Sequence, residues 1–398
     1  MMVFITEQPY SFNLNGAASL SSSHLRMLRF RFPDELVQVV LLSETKQFWA
    51  EEPDFPKDMV SVSTVSMPYI TYRPLSLSSF LSAFFLSDFR NLISRVFLID
   101  SRRKEALSRL NTALSGMEKP DLIWCEHLMP LLYLHLLPDF RAGKAKLVYS
   151  HHDFQHKLLL VRERSVKNYF RAILLKKTEQ QAANMASACI AGSLSEVLEL
   201  DIFLPENKKT QFLPCFFPPQ TFGEISADHQ LSIYHLGTSA ATANRKGLEF
   251  FFQKVYPALQ DLPVTIELFG EVRNYILSRF PGIDKNPRLI FHEFVPDLSQ
   301  QMKPGMIHIL PYAGFTGTRT RIPALTRFSP CLVGFENMKD SYPFLTTGKN
   351  AMVARDEKEF TEFLLKLLSD ESLRNTISGN VAADMKKFEE ETSRAFHI

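Results

Sequence analysis

The chain has 398 residues, too many for one ordinary core, and 45% hydrophobic with 22% charged residues describes a folded protein of two ordinary-sized domains. Its 45 basic and 43 acidic residues nearly cancel to a net charge of +2, and no long arm of one sign exists, so nucleic acid is not an expected partner. The four cysteines, Cys125, Cys189, Cys215 and Cys331, are widely spaced among apolar neighbours with no Cys-x-x-Cys pair, which predicts buried thiols in a reducing compartment rather than zinc or redox chemistry.

Residues 1–9 carry Glu7 and no basic segment ahead of an apolar core, so no secretory leader is read there and a cytoplasmic protein is expected. Short β-like and helical runs then alternate: a strand over residues 3–6, a helix over 19–30, and strands over 37–42, 122–125 and 146–150. Such alternation predicts a parallel sheet covered by helices. The apolar stretch 75–86 is far short of the ~20 residues a membrane span requires. A long helix is expected over 169–185, a buried strand over 187–191, and a helix over 193–200 whose Ser193 and Glu196 would form a capping box.

Residues 213–219, Leu-Pro-Cys-Phe-Phe-Pro-Pro, break this pattern and place a boundary, giving an N-terminal domain over 1–218. The alternation restarts with a strand over 231–236, a helix over 247–256, strands over 264–269 and 289–291, a helix near Leu298 and a strand over 306–310, a second doubly wound domain over 219–380. Residues 381–398 read as a charged terminal helix that can return to the first domain.

In open α/β sheets ligands bind beyond the C-terminal ends of the strands, so the loops that follow strands are where chemistry is sought. Residues 13–19 follow the first strand and open a helix, with Gly16 allowing either close backbone approach to a ligand or simply a turn. After the strand ending at Ser150 come His151, His152, Asp153 and His156. Adjacent histidines do not readily chelate one ion, and the spacing of His152 and His156 lacks the glutamate of a zinc-hydrolase helix. An imidazole here reads as a hydrogen-bonding partner of a sugar hydroxyl or a developing charge, or as a structural side chain. Downstream, His235-Leu236-Gly237 leads into a polar loop that closes on Asn244-Arg245-Lys246-Gly247. A helix beginning at Gly247 puts Arg245 and Lys246 at its start, where unpaired N–H groups and the helix dipole favour phosphate. Residues 311–322 combine glycines, hydroxyls and two arginines, a composition suited to a diphosphate. Gly317-Thr318-Arg319 lacks the Lys-Ser/Thr ending of an ATPase phosphate loop, so ATP hydrolysis is not expected.

The order and spacing of these motifs resemble the GT-B glycosyltransferases, specifically the large retaining family 4. The resemblance is clearest over residues 233–368. It implies an α/β protein of two Rossmann-like domains facing a cleft, acting as a hexosyltransferase of polysaccharide biosynthesis with a nucleotide diphosphate-sugar donor and a glycan or lipid-linked acceptor, and with no cofactor. By the same resemblance, His152 is the histidine close to the reacting sugar, and Gly16 belongs to the first-domain loop that approaches donor or acceptor. Lys246, with Arg245 beside it, holds the donor diphosphate, and Gly237 lies in the preceding turn. Phe294 and Val295 fall where the base is seated. Gly317, Thr318, Arg319 and Arg321 match the loop near the donor phosphates and sugar.

One departure is plain. The family usually carries a ribose-binding Glu on the helix after this loop, and here that position is Ala324, with Thr316 at its customary partner position. A degenerate GT-B binding or partner subunit therefore stays open, as does a nucleotide-sugar epimerase on the same fold. No Asp-x-Asp occurs, which favours a metal-independent mechanism with retention of anomeric configuration. Arg162, Arg164, Lys167, Arg171, Lys176 and Lys177, interleaved with apolar residues, fit either peripheral contact with an anionic membrane or a core helix with a solvated basic face.

Overall fold

The computed structural model describes residues 1–12, 15–43, 60–68, 71–74, 76–85, 88–117, 119–137, 145–218, 231–240, 242–295, 298–312 and 317–397. They divide into two compact units. The first comprises the described residues of Met1–Cys215, Thr316–Thr318 and Ser393–Ile398, and the second those of Phe216–Phe315 and Arg319–Thr392. Among the described residues no helix is long and apolar enough to cross a membrane.

The strands of unit 1 are β1 (Met2–Thr6), β2 (Val37–Leu42), β3 (Val60–Val65), β4 (Leu122–Glu126), β5 (Lys146–His151), β6 (Ala188–Ala191) and β7 (Thr210–Phe212). They form one parallel sheet in the order β3-β2-β1-β4-β5-β6-β7. Chain direction across the sheet reverses between β1 and β4, the place where doubly wound folds bind ligands. The central strands are buried on both faces, as MVFIT of β1 and LIWCE of β4 show, which explains their continuous apolar runs. Around the sheet run α1 (Gly16–Arg31), α2 (Leu77–Phe84), α3 (Phe89–Val96), α4 (Ser101–Ser115), α5 (Leu128–Leu136), α6 (Gln155–Arg162), α7 (Val166–Met185) and α8 (Leu194–Phe203).

Helix α1 begins at Gly16 rather than near residue 19, because the Asn15 side chain caps it by accepting from the Ala18 N–H at 2.8 Å. Its buried serines hold the loop after β1: Ser21 shares a hydrogen bond with Thr6 at 3.0 Å, Ser22 accepts from the Ser11 N–H at 2.8 Å, and Ser19 donates to the Phe12 carbonyl at 3.1 Å. The capping box expected at α8 does not form. The Ser193 hydroxyl instead donates to the Glu196 carboxylate at 2.9 Å, so it serves that buried acid rather than the helix N–H groups.

Unit 2 contains β8 (Ser232–Leu236), β9 (Thr265–Phe269), β10 (Leu289–His292), β11 (Ile307–Leu310), β12 (Cys331–Phe335) and β13 (Met352–Ala354), all parallel, in the order β10-β9-β8-β11-β12-β13. Its helices are α9 (Thr242–Phe250), α10 (Arg273–Arg279), α11 (Arg321–Thr326), α12 (Glu357–Ser369) and α13 (Glu371–Ala395). The terminal helix is thus ten residues longer at its start than the sequence pattern suggested. Its last residues group with unit 1, where Phe396 lies against Trp124 with ring centroids 6.1 Å apart and the His397 N–H donates to the Gln211 side chain at 2.9 Å. All four cysteines are buried and free, as expected.

Candidate functional site

In unit 1 the chemistry gathers at the C-terminal ends of β4 and β5. Glu126, the last residue of β4, is 1% exposed and accepts from four side chains. These are the His24 ring at 2.9 Å, the Ser150 hydroxyl at 3.0 Å, the Trp124 indole N–H at 2.6 Å and the His152 Nε2. Burial opposes ionisation of this carboxyl, but the attraction of His24 and His152 and their hydrogen bonds outweigh it and hold it well below the usual carboxylate range. The carboxylate accepts from Nε2 and so fixes the proton on that nitrogen and the orientation of the ring.

The histidines that share one stretch of sequence have different surroundings. His156 bonds Glu179, which also accepts from the Gln155 N–H at 2.5 Å, so this pair fixes the start of α6 onto α7. His151 is fully buried, its Nδ1 on the Tyr149 hydroxyl at 2.9 Å, and burial holds its imidazole well below its ordinary range. Only His152 is held at the strand end by the Glu126 carboxylate. Gly317 and Thr318 group with this unit: the Gly317 N–H donates to Glu196 Oε1 at 3.0 Å, and a side chain at Gly317, whose φ is +86°, would collide with Asp153. The Thr318 hydroxyl is buried with no hydrogen-bond partner among the described residues.

In unit 2, α9 begins at Thr242, not Gly247. Its start is displaced because the Asn244 side chain donates to the Thr238 carbonyl at 2.6 Å and Arg245 folds back onto the Ser239 and Ala240 carbonyls at 2.7 and 2.9 Å. Arg245 is thereby committed to shaping the loop, whereas Lys246 is exposed in the second turn of the helix. Gly247 is required by packing, since a Cβ there would lie 2.8 Å from the Pro311 carbonyl. Gly237 leaves room for Arg321, whose guanidinium would be 3.0 Å from a Cβ at that position. Arg321 in turn lies over the Tyr312 ring at 5.0 Å and bonds its hydroxyl.

Burial, then Arg321 and His308, push the His235 imidazole down to about 3, so this neighbour of Gly237 stays neutral. Phe294 is 62% exposed, while Val295 packs against the cluster of Tyr234, Phe269, Met302 and Phe328. The Arg319 N–H donates to the Ser341 hydroxyl at 3.3 Å, and Ala324 is half-buried on the short α11. Thr316 lies outside the described residues. Gly16 is exposed at the first position of α1.

Of the basic residues weighed for membrane contact, three have internal partners. Arg171 lies over Tyr72 and donates to the Arg73 carbonyl at 3.1 Å, Lys176 lies over Phe203, and Lys177 lies over Phe84. The side chain of Arg162 lies outside the described residues. Helix α7 buries Ala172, Leu174, Leu175, Thr178, Glu179, Ala182 and Ala183, the character of a core helix.

Sequence reasoning passed over His24, Glu126 and His127. Trp-Cys-Glu-His at residues 124–127 ends a strand just as Ser-His-His does at 150–152, so the rule that selected His152 would also have selected this pair. His24, 102 positions from Glu126, carried no such sign.

No protein-family model matches the chain, and no curated protein matches it in sequence. Solved structures do match, over nearly its whole length. It is similar to sucrose-phosphate synthase from Thermosynechococcus elongatus, at 11% identity and a TM-score of 0.65, over 99% of this chain and 96% of that one. It is similar to HepE of Anabaena in complex with UDP and glucose, at 15% identity and a TM-score of 0.60, over 99% and 98%. It is also similar to WaaG, a glycosyltransferase involved in lipopolysaccharide biosynthesis, at 11% identity and a TM-score of 0.59, over 99% of each chain.

Proposed function

We propose that this chain, which has the two-domain α/β GT-B fold, is a glycosyltransferase that moves a sugar from a nucleotide diphosphate donor to a glycan or lipid-linked acceptor. The observation that carries the reading is the likeness of fold over 99% of the chain to enzymes of this kind, one of them bound to UDP and glucose. The Glu126–His152 pair at the switch point of the unit 1 sheet agrees with it.

In this reading Lys246 and Arg321 neutralise the departing diphosphate, Arg321 being aimed by the Tyr312 hydroxyl and the space that Gly237 leaves. Phe294 and Val295 offer an apolar seat for the base. With these cations carrying the leaving-group charge, no metal is invoked. The acceptor hydroxyl attacks C1 from the leaving-group face: the C1–O bond to the acceptor forms, the bond to the diphosphate breaks, and the acceptor proton passes to the departing diphosphate oxygen. Configuration is then retained. One observation favours a second stereochemical outcome, since a histidine anchored on a carboxylate is also the arrangement of a general base for direct displacement, which inverts. Catalysis at an anionic membrane face remains part of the proposal for a lipid-linked acceptor, resting on Arg164 and Lys167 beside the exposed Val166 and Tyr169.

The test is diphosphate release from UDP-glucose, UDP-N-acetylglucosamine, GDP-mannose and ADP-glucose with glycan acceptors, in EDTA and in magnesium. Turnover undiminished by EDTA supports the reading, and activity that requires the metal defeats the metal-independent form of it. The anomeric coupling constant of the product decides between retention and inversion. If nucleotides bind but no donor turns over with any acceptor, the transferase reading gives way to a binding protein.

A further inference from the structure

His127, directly after β4, adopts φ +83° and ψ 166°, a backbone region that belongs almost entirely to glycine. Its position as the cap of α5 does not explain the residue, because the ring makes no capping hydrogen bond and Ser, Asp, Asn or Gly would serve a cap better. What the conformation does achieve is placement. The ring stands edge-on to His152 with centroids 5.2 Å apart, its Nδ1 is buried without a hydrogen-bond partner among the described residues, and its Nε2 has only the Gln155 side-chain nitrogen at 3.4 Å.

Two further facts describe the chemistry at this edge. Burial, then the neighbouring His152, push the His127 imidazole down to about 3, so it is neutral in any working buffer and keeps one N–H and one lone pair. Glu7 follows β1, the strand that pairs with β4, and burial holds the Glu7 carboxyl up to about 7. A neutral ring that both donates and accepts suits a hydroxyl.

We propose that His127 is a sugar-contacting residue of this site, whose Nδ1 hydrogen-bonds a hydroxyl of the hexosyl group seated beside His152. The proposal rests on the transferase reading for the identity of the ligand, but the residue's role can be tested apart from turnover. Its strained backbone is the signature: a ring kept where glycine would be easier is a ring kept for a partner.

The experiment compares wild type with His127→Gly, which relieves the backbone, and His127→Asn, which keeps a donor and an acceptor on a shorter side chain. Imidazole resonances of selectively labelled protein are followed during additions of glucose, N-acetylglucosamine and mannose, free and as UDP or GDP conjugates. The His127 signals should shift with the sugar and not with UDP or GDP alone. His127→Gly should melt at or above the wild-type temperature, bind free nucleotide within twofold of wild type, and lose at least tenfold in sugar-dependent affinity or transfer, with His127→Asn recovering part. Absence of a sugar-dependent shift across the panel overturns the proposal, as does a glycine variant of unchanged sugar affinity and transfer. A glycine variant that melts well below wild type also overturns it, by making the ring a packing element. Shifts without turnover by wild type would defeat the transferase reading while leaving the His127 contact standing.

Discussion

The strand edges that carry candidate residues in the two units are built on opposite principles. In unit 1 the polar groups are buried and converge on one carboxylate: Glu126 alone serves two histidines, a serine and a tryptophan. In unit 2 the key groups are glycines that make space and cations that keep partial access to solvent, with Arg321 steered by Tyr312 and Lys246 exposed. The first arrangement couples function to stability, because removing a member strands the others in a dry interior. The second separates them, since an exposed cation contributes little to folding and much to an anionic ligand.

Replacing Glu126 by Ala is the hardest test of that contrast. It leaves four donors without their acceptor, and a loss of about 3–5 kcal/mol is expected, read as a lower thermal midpoint and denaturant midpoint. Because the Glu126 carboxyl is held low in the fold, its contribution is present above the ordinary value of 4.5 and is lost as the pH falls from there toward the depressed value. A variant that melts with wild type would mean that the buried network does not hold this edge.

Lys246→Ala and Arg321→Ala probe the other side. Each should weaken nucleotide diphosphate binding by roughly 1.5–3 kcal/mol, and Lys246→Ala should leave the stability within about half a kcal/mol of wild type. Calorimetry that finds unchanged affinity in the Lys246 variant removes it from the donor site.

Ala324→Glu sharpens the comparison by adding what unit 2 lacks. A carboxylate on α11 near ribose hydroxyls should tighten nucleotide binding by about 1.5 kcal/mol when aligned. A lower midpoint with no gain in affinity would show that the loop after β11 has been rebuilt around Pro323 and Phe328, burying the new charge without a partner.

The smallest effect belongs to Glu7. Its carboxyl is raised from 4.5 to about 7 by burial, so the folded state holds its proton more tightly than the unfolded chain and stability falls as pH rises across that window. Its side chain is only partly covered by neighbouring atoms, which argues for the lower end of the effect. Glu7→Gln should therefore stabilise by on the order of 1 kcal/mol at pH 8 and by nothing measurable at pH 4. Identical melting of the two proteins at both pH values would show that this carboxyl is solvated.

Strands such as Val37–Leu42 and Ile307–Leu310 were legible because a strand buried in a parallel sheet announces itself as a local apolar run, and the rule that ligands sit beyond strand ends pointed to His152 and Gly237. Helix α9 was misplaced by five residues because Thr242, Ala243 and Asn244 carry no apolar period, and the side chains of Asn244 and Arg245 set the loop before it through contacts that no local pattern encodes.

By itself, the sequence determined the alternation of strand and helix, the buried thiols, and which strand ends bear imidazoles and cations, all of which depend on neighbours a few residues away. Only the tertiary structure decided which imidazole meets a carboxylate. His24 reaches Glu126 across 102 positions, and His152 reaches it from the adjoining strand, because parallel register sets β1, β4 and β5 side by side. That choice depends on sheet order and burial, where the cost of an unpaired polar group in the interior selects the partner, and no spacing along the chain records it.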